Sequence, residues 1–299
     1  MVSWPDPGTR VTVRYRRPAG SVPPLTDAVG HLLEADPVLR VRTKTGAVVE
    51  IAPADVVALR VLTDAPVRTS QIRALEHAAA AAWPGTERTW LGGWLLRAGR
   101  GAGLAANSAM PLDISARTGA IPEIMTWYER RGLTPWLAIP DRLLPLPPGL
   151  TAGRTEVVLV RDVSSVTLAL RPDPSVTLER RPGDAWLRTY QREIPVDALT
   201  AVVDGELMFG THPGGAIARA AVTDAPDGTR WVGLSAIRAP DERAAAVLCE
   251  ALLAWGADRG ATRGHARARQ AGATALADGL GFRPHHRRRY VPARAMDTV

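Results

Sequence analysis

The stretch that most constrains this chain is RWVGLSAIRAPDERAAAVLCEALLAWGADRGATRGHARARQAGATALADGLGFRPHH, residues 230–286. It opens on an apolar run, WVGLSAI, turns at Pro240, and continues with Ala, Leu and Val at helical spacing as far as Trp255. A second strand-like stretch follows, then a helix-like one closing on Leu280, Gly281 and Phe282, then a last strand. Two neighbouring parallel strands need a crossover between them, and a helix supplies it. The order therefore predicts a mixed sheet with flanking helices, α+β or α/β, and sets a helix N-terminus beside a ligand position.

At 299 residues the chain has room for about two domains. Hydrophobic content of 46% and a mean hydropathy of −0.05 fit an ordinary globular protein. No run reaches the roughly 20 apolar residues of a membrane span, so no membrane is expected as a partner. The start, MVSWPDPGTR, lacks the apolar centre of a secretory signal. The single cysteine, Cys249, has no internal partner and reads as a buried structural thiol. These features point to the cytoplasm.

A net charge of +7 raises the question of nucleic acid. Lys44 is the only lysine, and an arginine bias among abundant Ala, Gly and Pro reads as GC-rich coding. A nucleic-acid binder gathers its cations on one face with aromatics between them. The densest cluster is HHRRRY, residues 285–290, which reads as a solvated strand edge or an anion contact. Nucleic acid is not expected as a partner, although a third reading would work through these arginines and the N-terminal unit.

Residues 8–62 alternate in the period of half-buried strands, as in GTRVTVRYRR with Val11, Val13 and Tyr15 on one face. Further short strands are expected near 27–36, 38–46 and 47–52, with a tight turn at Thr45-Gly46. Four or five of them suffice for a small SH3-like β-barrel over residues 1–64, a docking or packing module without catalytic residues. After TDAPVRTS the pattern becomes helical in QIRALEHAAAAAW, residues 71–83. Strands over 89–99 and 104–112, a helix over 121–132 and a strand over 133–140 complete a lobe spanning 68–152. Gly99, Gly101 and Gly103 join two strands and open no helix, so they read as a hairpin turn and not a phosphate cradle. A third region, 153–299, carries strands at 155–163, 205–211 and 216–224, a helix at 183–193, and the opening stretch.

The order from 176 to 290 resembles the GNAT superfamily of acetyl-CoA-dependent N-acetyltransferases, in the phrases WVGLSAI, ALLAWGADRGAT and ALADGLGFRPHHRRRY. Upstream, GGWLLRAG, NSAMPL and TWYERRGL behind an SH3-like module resemble an actinobacterial branch described as histone-acetyltransferase-like. The resemblance covers nearly the whole chain. It implies an N-terminal GNAT-like lobe followed by a C-terminal GNAT domain. It also implies acetyl transfer to a primary amine on a small molecule or a protein.

The same resemblance implies a site. Acetyl-CoA would lie between the family's fourth and fifth strands, with backbone from Ser235, Ala236, Ile237 and Arg238 along the pantetheine arm. The turn formed by Arg243, Ala244, Ala245 and Ala246 would approach the pyrophosphate, and Gln270 stands where the family carries Asn. The chain departs from the family in two places. The family's phosphate loop contains glycine, which lets backbone approach an anion; here APDERAAA offers Pro240, Asp241 and Glu242. Ala277 stands where the family's proton-donating Tyr would be, and alanine cannot donate a proton. Candidate bases for the amine are Glu206, Glu193 and His212, each read more readily as a surface residue. His265, Arg267 and Arg269 alternate on one strand face, readable as an anion-binding face or a solvent-facing edge. A rival reading is a catalytically inactive relative kept as a binding or scaffold module. A homo-oligomer, or a protein partner on the SH3-like unit, is compatible with either.

Overall fold

The computed structural model describes residues 4–5, 9–18, 20–43, 45–62, 67–147, 150, 153–164, 173–191, 194–268 and 271–297. They fall into two compact units, Met1–Pro66 and Val67–Val299.

In the first unit, β1 (Arg10–Arg16), β2 (Leu25–Glu34), β3 (Leu39–Thr43), β4 (Val48–Ile51) and β5 (Val56–Val61) form one antiparallel sheet in the order β4-β3-β2-β1-β5. The alternation read from the sequence sends Val11 and Val13 inward, where they pack with Leu32, Leu39, Val41 and Ile51. Among the described residues no ladder joins β4 to β5, so the unit is a small β domain with two sheet edges.

The second unit begins with α1 (Thr69–Ala82), β6 (Glu87–Leu91), β7 (Trp94–Ala98), β8 (Ser108–Pro111), α2 (Ile121–Glu129), β9 (Trp136–Pro140) and β10 (Arg154–Asp162). It continues with β11 (Thr177–Glu179), α3 (Asp184–Tyr190), α4 (Val196–Leu199), β12 (Glu206–His212), β13 (Ala216–Asp224) and β14 (Arg230–Arg238). Last come α5 (Glu242–Ala257), β15 (Arg263–Ala268), α6 (Ala271–Gly279), β16 (Arg283–Pro292) and α7 (Arg294–Asp297). Where the sequence suggests one strand over 89–99, the chain folds back as β6 and β7. Gly92 and Gly93 make that turn at φ of 52° and 84°, backbone that side chains with a Cβ rarely adopt.

All strands of this unit join one mixed sheet of 11 among the described residues, ordered β11-β12-β13-β14-β15-β10-β16-β9-β8-β7-β6. The order is pseudo-symmetric about the β10–β16 pair. On one side β13 runs antiparallel to β14 and β14 parallel to β15; on the other β7 runs antiparallel to β8 and β8 parallel to β9. Each half lends its last strand across the centre: β10 pairs with β15, and β16 pairs with β9. The halves therefore share one continuous ladder.

The faces follow from strand alternation. On one face α5 and α6 cover Val232, Leu234, Leu159 and Phe282; beside them, α2 and α7 cover Leu137, Ile139 and Val291. On the opposite face α1 crosses the centre, packing Leu75 and Ala78 against Val158 and Trp231, and Ala80 against Met110 and Tyr290.

The shared centre corrects two readings of the sequence. HHRRRY is no solvated edge: β16 is an interior strand, and His286, Arg288 and Tyr290 are buried under α1. GHARARQ is likewise interior, with His265 buried and Arg267 half-buried, while Arg269 lies outside the described residues. Cations survive there because carboxylates far away in sequence meet them. Glu76 of α1 takes Arg288 in a bidentate pair and His286 Nε2 at 2.8 Å. Glu156 of β10 takes the Tyr290 hydroxyl at 3.1 Å and lies 3.7 Å from Arg288. A buried charge left without partners is costly.

Candidate functional site

The strands β14 and β15 are hydrogen-bonded in parallel from Trp231–Gly233 against Arg263–His265 and then part. Gly233 stands in the last pair, opposite His265, and a Cβ there would run into the His265 ring. Past the last pair, β14 gains a residue on β13: Arg219 faces Ser235, but Ile217 faces Arg238. The extra residue is a β-bulge, with Ala236 held at φ of 54°, an uncommon conformation for a residue with a Cβ. A bulge leaves backbone groups out of the ladder, free to meet a ligand.

The gap forms a cleft of about 510 Å³. Its walls are the bulged end of β14, Leu234 to Arg238, and Ala266 and Arg267 of β15. On the α6 face it is apolar, lined by Leu276, Ala277, Leu280 and Phe282. On the opposite face it meets Trp83, Tyr190, Ile194, Ala102 and Ala105. The opening therefore passes through the sheet at the carboxyl ends of parallel strands, where ligands of open α/β sheets bind. A second cavity of about 730 Å³ adjoins it, sharing Ala102, Ala105 and Ile194 and adding Asn107, Thr134, Trp136 and Arg154. Gly99, Gly101 and Gly103 indeed sit between β7 and β8. The loop they begin also lines both cavities, fixed by Asn107, whose amide accepts from Gly99 N–H and donates to its carbonyl, each at 2.7 Å.

Beneath the cleft lies Arg219, 1% exposed within the apolar stretch AIARAAV of β13. Its guanidinium donates to the carbonyls of Leu199 (2.8 Å), Ala82 (2.9 Å) and Ala201 (2.8 Å), and to Ser235 Oγ at 3.2 Å. The ring of Trp83 lies 4.4 Å away. Burial, reinforced by the nearby Arg267, pushes its pKa down to about 9, so it stays charged at neutral pH. Arg267 reaches toward the buried Glu156, 3.9 Å away. Burial alone would raise the pKa of Glu76, but Arg288 and His286 hold it well below the ordinary carboxylate range. Burial drives His265 the other way, down to about 3, with neither ring nitrogen hydrogen-bonded.

Ser235, Ala236, Ile237 and Arg238 come together in the cleft wall. Arg243, Ala244, Ala245 and Ala246 form the first turn of α5 and are not among the lining residues. Asp241 already caps that turn, accepting the Ala244 N–H at 2.8 Å. Glu206 is exposed at the start of β12, paired with Arg259 at 3.0 Å and away from the cleft. His212 sits on the β12–β13 turn, its Nδ1 accepting the Gly214 N–H at 3.0 Å. Glu193 and Gln270 lie outside the described residues. Ala277 does line the cleft, so that position of α6 offers no proton. Sequence reasoning missed Arg219, Trp83 and Tyr190. Arg219 alone left a signal, a lone cation within the buried run AIARAAV.

Comparison with known proteins covers both units. Residues 69–291 match the family described as "Probable histone acetyltransferase Rv0428c C-terminal", and residues 5–60 match "Rv0428c N-terminal Sm-like domain". The chain is 66% identical over 301 residues to "Probable histone acetyltransferase Rv0428c" of Mycobacterium tuberculosis, covering 99% of this chain and 98% of that relative. Among solved structures, the GCN5-related N-acetyltransferase from Kribbella flavida is similar at 15% identity, with a TM-score of 0.49. That match covers 76% of this chain and 95% of the other.

Proposed function

The chain belongs to the Rv0428c family, and on that premise we propose that it is an N-acetyltransferase moving an acetyl group from acetyl-CoA to a primary amine. The observation that carries this reading is the cleft through the parted strands β14 and β15, with a bulged strand on one wall and apolar α6 residues beside it. A thioester arm entering along the α6 face would meet an amine arriving through the loop 100–107 on the other. Apolar walls suit the pantetheine arm, and the bulge offers backbone groups outside the ladder. Orientation of both substrates is itself a large source of rate, so the reaction does not depend on the missing tyrosine.

The residues fit the acyl end of the ligand better than the phosphate end. The first turn of α5 has its Ala244 N–H occupied by Asp241, with Glu242 next to it. Two carboxylates repel a pyrophosphate at the position where a helix N-terminus would hold it. Arg238 precedes that turn and Arg243 lies within it. The capped turn favours a second reading, a catalytically silent relative that keeps the cleft as a binding module. We further propose the N-terminal β domain, whether SH3-like or Sm-like, as a protein-docking or self-association module. The acceptor is a small molecule or a protein, and the compartment is the cytoplasm.

The test is release of free CoA thiol from acetyl-CoA in the presence of a panel of primary amines, including lysine peptides. Amine-dependent release is expected. Binding of acetyl-CoA without release under any amine would favour the silent reading.

A further inference from the structure

The cleft contains a polar device that backbone contacts alone do not use. Arg219 is a buried guanidinium with no carboxylate partner among the described residues, and an uncompensated buried charge is costly. Three of its hydrogen bonds have a structural explanation. They go to carbonyls at or after the ends of α1 and α4, where a cation satisfies groups left unpaired by the helices. The fourth goes to Ser235 Oγ, which lines the cleft beside the bulged Ala236. With its oxygen accepting from Arg219, the Ser235 hydroxyl has its hydrogen left to donate. Among the described residues its acceptor is the Arg219 carbonyl, at a long 3.4 Å. A ligand in the cleft can compete for that hydrogen, and the positive charge behind it favours a ligand atom that becomes negative.

We propose that Ser235 is a catalytic hydrogen-bond donor to the thioester carbonyl oxygen, and that Arg219 is the positioning residue that holds its Oγ. This inference rests on the acetyl-transfer reading. When the amine nitrogen adds to the carbonyl carbon, a C–N bond forms and the carbonyl π pair moves onto oxygen. Ser235 stabilises that oxygen through its O–H without surrendering the proton. The pair then returns, the C–S bond breaks, and the proton lost by nitrogen ends on sulfur, so charge and atoms balance. Preorganised donors of this kind count for most where bound substrate displaces water.

The test uses the full chain and S235A, which removes only a half-buried hydroxyl. Acetyl-CoA with a 13C-labelled carbonyl is bound without any amine, and isotope-edited infrared spectra record the C=O stretch. The stretch is expected at lower frequency in the wild type than in S235A, and kcat is expected to fall about 10²–10³-fold with KM for acetyl-CoA unchanged. S235T, which keeps the hydroxyl, is expected to restore both. R219K is expected to lower kcat in the wild-type background and to change nothing further in S235A. An identical stretch and kcat in S235A would overturn the proposal, whatever R219K does to folding. Acetyl-CoA that fails to bind the wild type in calorimetry would instead overturn the acetyl-transfer reading beneath it.

Discussion

The pairs β8–β9 and β14–β15 occupy equivalent places on either side of the β10–β16 centre, and they end differently. Both β8 and β9 close on prolines, Pro111 and Pro140; a cavity of about 390 Å³ borders Pro140, but the paired residues Ala109 and Leu137 are buried. Trp94, Ile124, Tyr128, Leu137, Val291 and Met296 pack as one core. The other pair runs past Ser235 into a bulge at Ala236, beside the small side chains of Ala266 and, from α6, Ala277, and the same topology opens as a cleft. Parallel strands joined by a helix thus supply a place for a site without making one. On the reading proposed above, what makes it is a strand defect, small wall residues and a charge held under the floor.

If the filled half is scaffold, damage there should cost stability and leave ligand affinity alone. Trp94 is fully buried. Trp94→Ala should cost about 3–5 kcal/mol in chemical denaturation, the range for deleting a buried aromatic, with acetyl-CoA affinity unchanged in the surviving folded protein. A matching loss of affinity would mean the halves do not divide the labour this way.

The seam between the halves should respond to acid. His265 and His285 are held neutral in the folded chain, their pKa values pushed down to about 3 and about 4, mainly by burial. Unfolded, each takes up a proton near pH 6.5. Below that pH the unfolded state binds more protons, so stability is full above about 6.5 and falls as pH drops toward the folded values. Glu76, depressed by Arg288 and His286, adds a further loss below about 4.3, where its unfolded form protonates. Denaturation series from pH 7.5 to 4.5 should show the histidine part of this fall, and His265→Leu should make it shallower. A slope unaffected by that change would remove His265 from the account.

The smallest effect concerns the capped helix. Asp241→Ala should cost about 1 kcal/mol of stability, the typical worth of an N-cap. It should also tighten acetyl-CoA binding by freeing the Ala244 N–H and removing a negative charge. Weaker binding would show that Asp241 helps the ligand.

Much of the fold was legible because it is written locally. Val11 and Val13 alternate, Ala, Leu and Val recur at helical spacing before Trp255, and Gly132 closes a helix whose start carries Pro122. The strand exchange was not legible, because which strand lies beside β15 depends on contacts between residues 157 and 268, far apart in the chain. That exchange turned expected edges into a buried seam. Glu76, inside an Ala-rich helix, gave no sign that Arg288 and His286 would close on it. The cleft wall holds Ser235 to Arg238, which the family resemblance implied as backbone contacts for a ligand. Arg219, Trp83 and Tyr190 come from separate elements and meet only after folding.

The central claim is that the parted strands form an acyl-CoA slot, and filling the slot tests it most directly. Ala277 lines the cleft and is 6% exposed. Isothermal calorimetry with acetyl-CoA should show binding to the wild type and none to Ala277→Trp, with thermal unfolding confirming that both are folded. Equal binding by the two proteins, or no binding by either, would contradict the account.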